Sequence, residues 1–207
     1  MTVSPAVPVC RVLALAGSLR RASWNRRLLH AAALQAPAGI QLEVYDDLAA
    51  VPLFDEDLEQ HEPAGPPGVQ ALRAAVAAAD GVIIATPEYN QALPGVLKNA
   101  LDWLSRESPA GEVLAGKPVA VLGASCGPWG TRLAQASLRQ VLHTCGALVM
   151  PGPSLFVARA ADRFDARAWL TDTSTLQSLQ SFLLGFEGWM ERLALPAMQD
   201  ASLALPG

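Results

Sequence analysis

Cysteine, excess positive charge and long apolar runs are all scarce in this chain of 207 residues. Its three cysteines, Cys10, Cys126 and Cys145, form no CxxC pair, and with three histidines they are too few for a structural zinc site. This cysteine usage fits a reduced, cytoplasmic interior and predicts no metal. The 15 basic residues do not exceed the 19 acidic ones, so nucleic acid is not an expected partner. The longest apolar stretches fall short of the ~20 residues of a membrane span, so no membrane association is expected.

Apolar residues, by contrast, are plentiful. They make up 51 % of the chain against 16 % charged residues, a mixture that is typical of a globular protein with a full core. The length favours one domain over residues 1–207, with tails at 1–8 and 196–207.

Short apolar runs alternate along the chain with stretches of helical periodicity. Strands are predicted at 9–16, 40–45, 81–85, 117–123 and 147–150. Helices are predicted at 23–36, 68–79, 94–106, 131–144 and 173–195, and a polar, proline-rich connection at 46–67. The strands are continuously apolar, which is typical of a parallel sheet covered by helices on both faces. The sequence therefore predicts an α/β fold: a flavodoxin-like, doubly wound, five-stranded parallel sheet in a three-layer α/β/α arrangement.

Candidate functional residues lie in the three loops that follow strands one, three and four, because ligands of such sheets bind at the carboxyl ends of the strands. The first loop, GSLRRASWN, leads into a helix whose free N–H groups and dipole favour phosphate. Ser18, Ser23 and Asn25 add short polar groups, and Arg20 adds a permanent charge. The alternative interpretation is an ordinary turn with Ser23 as the helix cap and solvated arginines.

The other two loops are suited to a planar ligand. In the second, TPEYNQALP, Tyr89 could cover a ring and Asn90 could reach its edge, or Tyr89 simply packs on the surface. In the third, GASCGPWGT, glycines permit close approach of the backbone to a ligand. There Trp129 is either an aromatic lid or a packed or interface residue. Cys126 is either a redox thiol or, more commonly, a small buried side chain.

Taken together, the three loops resemble one known family. The segments GSLRRASWN, PEYNQALPGVLKNALDWLSR and SCGPWGTRLAQASLRQVL are similar to those of the NADPH-dependent FMN reductases, which include quinone, azo-dye and chromate reductases on the flavodoxin-like fold. The resemblance extends over residues 9–151. It implies that the FMN phosphate is held by Ser18, Arg20, Ser23 and Asn25. It assigns the ribityl chain and flavin ring to Pro87, Glu88, Tyr89 and Asn90, with Ser125 and Gly127 approaching the ring from the third loop.

The resemblance also implies the chemistry. NADPH or NADH would pass a hydride to N5 of FMN, and the flavin would then reduce a small acceptor such as a quinone, an azo compound, chromate or a flavin in a ping-pong cycle. No side chain need act as an acid or base, so no catalytic residue is predicted. The helix that follows the third loop would favour negative charge developing on the flavin.

Two further expectations concern partners. The resemblance implies a homodimer or homotetramer, and Trp103 and Leu104 are candidates for contact with another subunit. The alternative function is a flavodoxin-like electron carrier that serves protein partners. Such carriers are usually strongly acidic and bind phosphate without arginine, so the net charge of −4 and Arg20 favour the enzyme.

Overall fold

The computed structural model describes residues 9–109 and 111–202, with side chains up to residue 194. Within this part of the chain the strands form one parallel sheet. They are β1 Cys10–Ala16, β2 Ile40–Tyr45, β3 Gly81–Ala85, β4 Pro118–Ala124, β5 Leu148–Val149 and β6 Leu155–Val157. The order is β2-β1-β3-β4-β5, with β6 also beside β4. The predicted flavodoxin-like α/β class is confirmed, since this is the strand order of that fold.

The last part of the sheet differs from the prediction. A single fifth strand was expected at 147–150, but β5 covers two residues and β6 follows it as a sixth strand. The two segments pair with different parts of β4: Pro118 and Val119 pair with β5, and Leu122 to Ala124 pair with β6. Pro151 and Pro153 lie between them, and proline cannot donate a ladder hydrogen bond. The edge of the sheet is therefore interrupted where these prolines fall.

Helices cover both faces of the sheet. They are α1 Trp24–Leu34, α2 Glu56–His61, α3 Pro67–Ala78, α4 Gly95–Leu104, α5 Arg132–Thr144 and α6 Thr173–Ser202. The strand β1, which lies between β2 and β3, is buried on both sides: Val12 and Ala14 join the core under α1 and α6, while Leu13 and Leu15 join the core under α3, α4 and α5. This burial explains why the strands read as continuous apolar runs.

Two boundaries differ from the sequence-based expectation. The connection expected at 46–67 contains α2, whose first turn is capped by the Asp55 carboxylate at 2.9 Å from the Asp57 amide nitrogen. The helix α6 continues to Ser202 and so covers the beginning of the predicted tail at 196–207. The predicted tail at 1–8 and the last five residues lie outside the described residues. In the described part of the chain, no helix is both long and apolar enough to cross a bilayer.

The expectation that Trp103 and Leu104 face another subunit is wrong. Both side chains are buried in the core between the sheet and the helices on its second face. The indole of Trp103 donates to the Pro52 carbonyl at 2.9 Å, and its ring meets Phe54 edge-on at 4.9 Å between centroids. Asn99, one turn earlier, accepts from the Phe54 amide at 2.7 Å. Trp103 therefore fastens the β2–α3 connection to α4.

Candidate functional site

An open cavity of about 360 Å³ lies at the carboxyl ends of β1, β3 and β4, where the three loops meet. Its volume falls within the usual range for small-molecule sites. Nine of the ten residues predicted from the sequence line it: Ser18, Arg20, Ser23, Asn25, Pro87, Glu88, Tyr89, Ser125 and Gly127. Asn90 is the exception. The lining also includes Trp24, Ala124, Cys126, Trp129 and Gly130.

The first loop ends at the beginning of α1. Ser23 caps this helix, with its Oγ accepting from the Arg26 amide at 3.4 Å. The Arg20 guanidinium folds back on its own loop and donates to the Ala22 carbonyl at 2.5 Å. The backbone N–H groups of Trp24 and Asn25 have no acceptor among the described residues. The cavity therefore has free amide donors, a helix N-terminus and a guanidinium at one end.

Asn25 joins the first loop to the last residue of β4. Its Oδ1 accepts from the Ala124 amide at 2.8 Å, and its Nδ2 donates to the Ala124 carbonyl at 2.9 Å. The side chain is 2 % exposed, so both bonds are shielded from water. Sequence reasoning did not anticipate this role, because the two residues are 99 positions apart. Phosphate binding by Asn25 stays a prediction.

The second loop contains a two-residue hairpin. Tyr89 and Ala92 exchange backbone hydrogen bonds of 3.1 and 3.0 Å, and the two residues between them, Asn90 and Gln91, have φ angles of 51° and 64°. Asparagine tolerates this left-handed conformation better than most residues, which suits it to such turns. The turn places Asn90 at the tip, away from the cavity lining, and leaves Tyr89 at the rim with 53 % of its surface exposed.

Glu88 connects the second loop to α5. One oxygen of its carboxylate accepts from the amides of Leu133 and Ala134, at 2.8 and 3.0 Å. These amides belong to the first turn of α5, so a negative charge already occupies the positive end of that helix. The expectation that this helix end favours negative charge on the flavin stays a prediction, and two of the amides on which it depends already donate to Glu88. Glu88 holds the cavity wall in place.

Hydrogen bonds hold the third loop both to itself and to a neighbouring segment. The hydroxyl of Ser125 donates to the Gly130 carbonyl at 2.7 Å, which closes the loop on itself. The amides of Arg159 and Ala160 donate to the carbonyls of Gly127 and Ser125, both at 3.0 Å. The loop therefore rests on the segment that follows β6, the strand that sequence reasoning missed.

The three cysteines differ in environment. Cys126 is exposed on the cavity, so its interpretation as a small buried side chain is wrong. Its Sγ accepts a hydrogen bond from the Trp24 indole nitrogen at 3.1 Å. Burial raises the pKa values of the Cys10 and Cys145 thiols, and nearby carboxylates, Asp80 and Asp102 respectively, raise them further. Those two thiols are therefore poor nucleophiles.

The sheet order and the cavity at its carboxyl ends define a flavodoxin-like α/β protein with a small-molecule site. Within this class, the family model of the NADPH-dependent FMN reductases matches residues 10–162, well over half of the chain. The chain therefore belongs to the NADPH-dependent FMN reductase family, and it is an oxidoreductase that uses FMN and NAD(P)H. The family resemblance stated from the three loops is confirmed, and a flavodoxin-like electron carrier is not favoured.

Relatives cover nearly the whole chain. An NAD(P)H-dependent FMN reductase of Pseudomonas aeruginosa is 39 % identical over 183 residues, covering 88 % of this chain and 96 % of the relative. A 2-hydroxy-1,4-benzoquinone reductase of a Burkholderia species is 38 % identical, with 87 % and 96 % covered. Among solved structures, FerB, a flavoenzyme NAD(P)H:acceptor oxidoreductase from Paracoccus denitrificans, has a TM-score of 0.80 at 33 % identity, with 89 % and 98 % covered.

Proposed function

We propose that the cavity binds FMN with its phosphate at the beginning of α1. The observation that carries this proposal is the donor set at that end of the cavity. It contains the free amides of Trp24 and Asn25, the hydroxyl of Ser18 and the guanidinium of Arg20. Amide donors at a helix N-terminus and a guanidinium fork both suit a phosphate dianion.

The rest of the cavity suits the ribityl chain and the flavin ring. Pro87 and Tyr89 offer apolar surface from the second loop, and Ser125 and Gly127 bring backbone close from the third. Nothing but the Ser125 hydroxyl, at 3.7 Å, lies within 4 Å of the place where a side chain of Gly127 would begin. A flat ring can therefore approach the backbone there. We assign Asn25 and Glu88 to holding the loops, because their polar groups already bond the protein.

The reaction that follows is transfer of two electrons from NAD(P)H to a small acceptor. Bound FMN would supply the chemistry, by taking a hydride at N5 and passing the electrons on. The chain's own residues bind and orient the cofactor and leave its outer side open to substrates. We propose a quinone as the acceptor class. The Burkholderia relative described above reduces a benzoquinone by its name, and a further relative, from Escherichia coli, is named a quinone reductase. Azo compounds, chromate and free flavin remain further candidates.

An absorbance spectrum before and after anaerobic addition of NADPH tests this function. The purified holoprotein is expected to show flavin bands that bleach within seconds without a partner protein. A flavin that bleaches only when a separate reductase is added would support the electron carrier instead. A protein that retains no flavin after incubation with FMN would contradict the assignment of the cavity.

Replacement of Arg20 by alanine is expected to weaken FMN binding about 10- to 100-fold, because hydrogen bonds to charged groups contribute about 1.5–3 kcal/mol. Its neighbour Arg21 offers a matched control, since it is also an exposed arginine of the first loop but does not line the cavity. Titration of the apoproteins with FMN, followed by flavin fluorescence, measures both dissociation constants. Equal losses in Arg20→Ala and Arg21→Ala would show a general charge effect rather than a phosphate contact.

We also propose that the protein is a cytoplasmic homodimer or homotetramer. Leu133 on α5 and Phe156 on β6 support a subunit contact, because they leave 51 % and 37 % of their surfaces exposed. Burying such exposed apolar surface in a subunit contact would stabilise that contact. The three unpaired cysteines support a reducing compartment.

A further inference from the structure

We infer that Trp129 stacks on the ring of an aromatic electron acceptor at the mouth of the cavity and thereby selects aromatic acceptors over ions without a ring. This inference rests on the proposed function of the cavity and adds a specificity-determining residue to it. The sequence left three roles open for Trp129: an aromatic lid, a packed side chain or a residue of a subunit interface. Its surroundings in the structure decide against packing.

The indole of Trp129 is free. It lines the cavity, yet 71 % of its surface is exposed, the largest exposed fraction of any tryptophan in the described part of the chain. Its N–H has no acceptor among the described residues. The tryptophans with a structural role behave differently: Trp24, Trp103 and Trp189 each donate the indole N–H to the protein and are at least partly buried. Trp129 stabilises little in this chain, so its large aromatic surface is available to a ligand.

The backbone that carries Trp129 is held in place. The next residue, Gly130, has a φ of 68°, and a side chain there would begin 3.0 Å from the Cβ of Phe156. The carbonyl of Gly130 accepts from Ser125, and that of Gly127 accepts from the Arg159 amide. A fixed backbone lowers the entropy lost when a ligand binds. Trp129 therefore sits on a preorganised loop at the rim, with Tyr89 on the second loop lining the same cavity.

Aromatic chemistry identifies the ligand. Indole offers an electron-rich face, and a quinone is a flat, electron-poor ring, so the two attract each other when stacked. In each turnover NAD(P)H gives up a hydride. A quinone gains those two electrons with that proton and one more from solvent, and becomes a hydroquinone. Two ferricyanide ions instead take one electron each, and the proton of the hydride passes to solvent; these ions present no ring. The stacking contact therefore strengthens binding of the quinone and has no effect on ferricyanide.

Steady-state kinetics of the holoprotein test the inference with two acceptors at saturating NADPH. One is tetramethyl-1,4-benzoquinone, whose fully substituted ring does not alkylate thiols such as Cys126, and the other is ferricyanide. Trp129→Ala is expected to raise the KM for the quinone about tenfold and to leave the KM for ferricyanide unchanged. Trp129→Phe retains a ring and should recover most of the loss. Trp169→Ala is the matched control, because Trp169 is 55 % exposed but lines a different groove.

A binding measurement complements the kinetics. Titration of the oxidised holoprotein with the quinone, without NADPH, is followed by the change in flavin absorbance. The dissociation constant should rise about tenfold in Trp129→Ala and stay unchanged in Trp169→Ala. Flavin content and sedimentation velocity are compared in all variants. The expected result is wild-type flavin content and wild-type oligomeric state in each.

Several results would overturn the inference. A KM that rises equally for quinone and ferricyanide would assign Trp129 to access in general. Loss of flavin from Trp129→Ala would assign it to the cofactor, and a changed sedimentation coefficient would assign it to a subunit contact. An unchanged dissociation constant for the quinone in Trp129→Ala would contradict the stacking contact, while the proposed function would stand. Failure of the wild-type flavin to bleach with NADPH would instead contradict both proposals together.

Discussion

Replacement of Gly123 by alanine is expected to destabilise the protein by about 3 kcal/mol or more. A Cβ at this position in β4 would lie 2.1 Å from the Oγ1 of Thr131 and 2.3 Å from the Thr86 carbonyl. The Thr131 hydroxyl is buried and bonded by Gln135, while the Thr86 carbonyl is backbone at the end of β3. Neither group has room to move without displacing the second loop or the beginning of α5. Urea denaturation of the holoprotein in excess FMN should show a midpoint lowered by at least 1 M, with a slope of roughly 2 kcal/mol per M.

Gly188 is the matched control for this change. It lies within α6, and nothing is found within 4 Å of the position of an added Cβ. Alanine is the better helix former by roughly 0.5–1 kcal/mol, so Gly188→Ala should raise the midpoint slightly. The two glycine-to-alanine changes are therefore expected to act with opposite signs. An unchanged midpoint in Gly123→Ala would mean that the two loops separate readily at this point.

The close approach at Gly123 has a functional consequence. It lets the second loop reach α5, where the Glu88 carboxylate accepts from the Leu133 and Ala134 amides. Asn25 makes the corresponding link between the first loop and β4. Each loop of the cavity is thus tied to an element other than the strand and helix that it joins. Such ties reduce the reorganisation that cofactor binding requires, as preorganised sites do.

The fold was largely predictable because it depends on local patterns. Continuous apolar runs mark strands buried on both faces, and helical periodicity marks α1, α3, α4 and α5, so the order of elements follows directly from the sequence. The strand β6 was not predicted because its three residues, Leu155–Val157, are too few to form a recognisable apolar run. Prolines also interrupt the edge of the sheet between β5 and β6. The short helix α2 escaped prediction because five of its six residues are polar and only one apolar side chain, Leu58, packs against the core.

The site was predictable in part for the same reason. Its residues follow strand ends in short motifs, and nine of the ten predicted residues line one cavity. The roles of Asn25 and Glu88 were not predictable, because their partners are 99 and 45 or 46 positions away in the chain. The place of Asn90 depends on a left-handed turn that it shares with Gln91. Long-range pairing and backbone conformation of this kind leave no local signal in a single sequence.

Replacement of Asn25 by aspartate is expected to cost about 3 kcal/mol of stability at pH 8, although the two side chains have nearly the same shape. The amide of Asn25 donates to the Ala124 carbonyl and accepts from the Ala124 amide. An ionised carboxylate can only accept, so one of its oxygens would face the Ala124 carbonyl without a hydrogen between them. The position is 2 % exposed, which adds the cost of burying a charge.

The pH dependence of Asn25→Asp separates this mechanism from a general loss of packing. Burial beside a carbonyl raises the pKa of the introduced carboxyl above the value of about 3.9 that it has in the unfolded chain. The loss of stability relative to wild type is therefore complete at pH values above the folded-state pKa. It shrinks as the pH falls through that pKa and disappears below about pH 3.9, where the protonated carboxyl can donate to the Ala124 carbonyl.

Urea midpoints of Asn25→Asp and wild type, measured in excess FMN at pH 8 and pH 5, should lie closer together at the lower pH. Asn25→Leu removes both hydrogen bonds without adding a titratable group, so its deficit should stay constant between the two pH values. A constant deficit in Asn25→Asp as well would show that the lost stability comes from packing and not from the donor that holds Ala124.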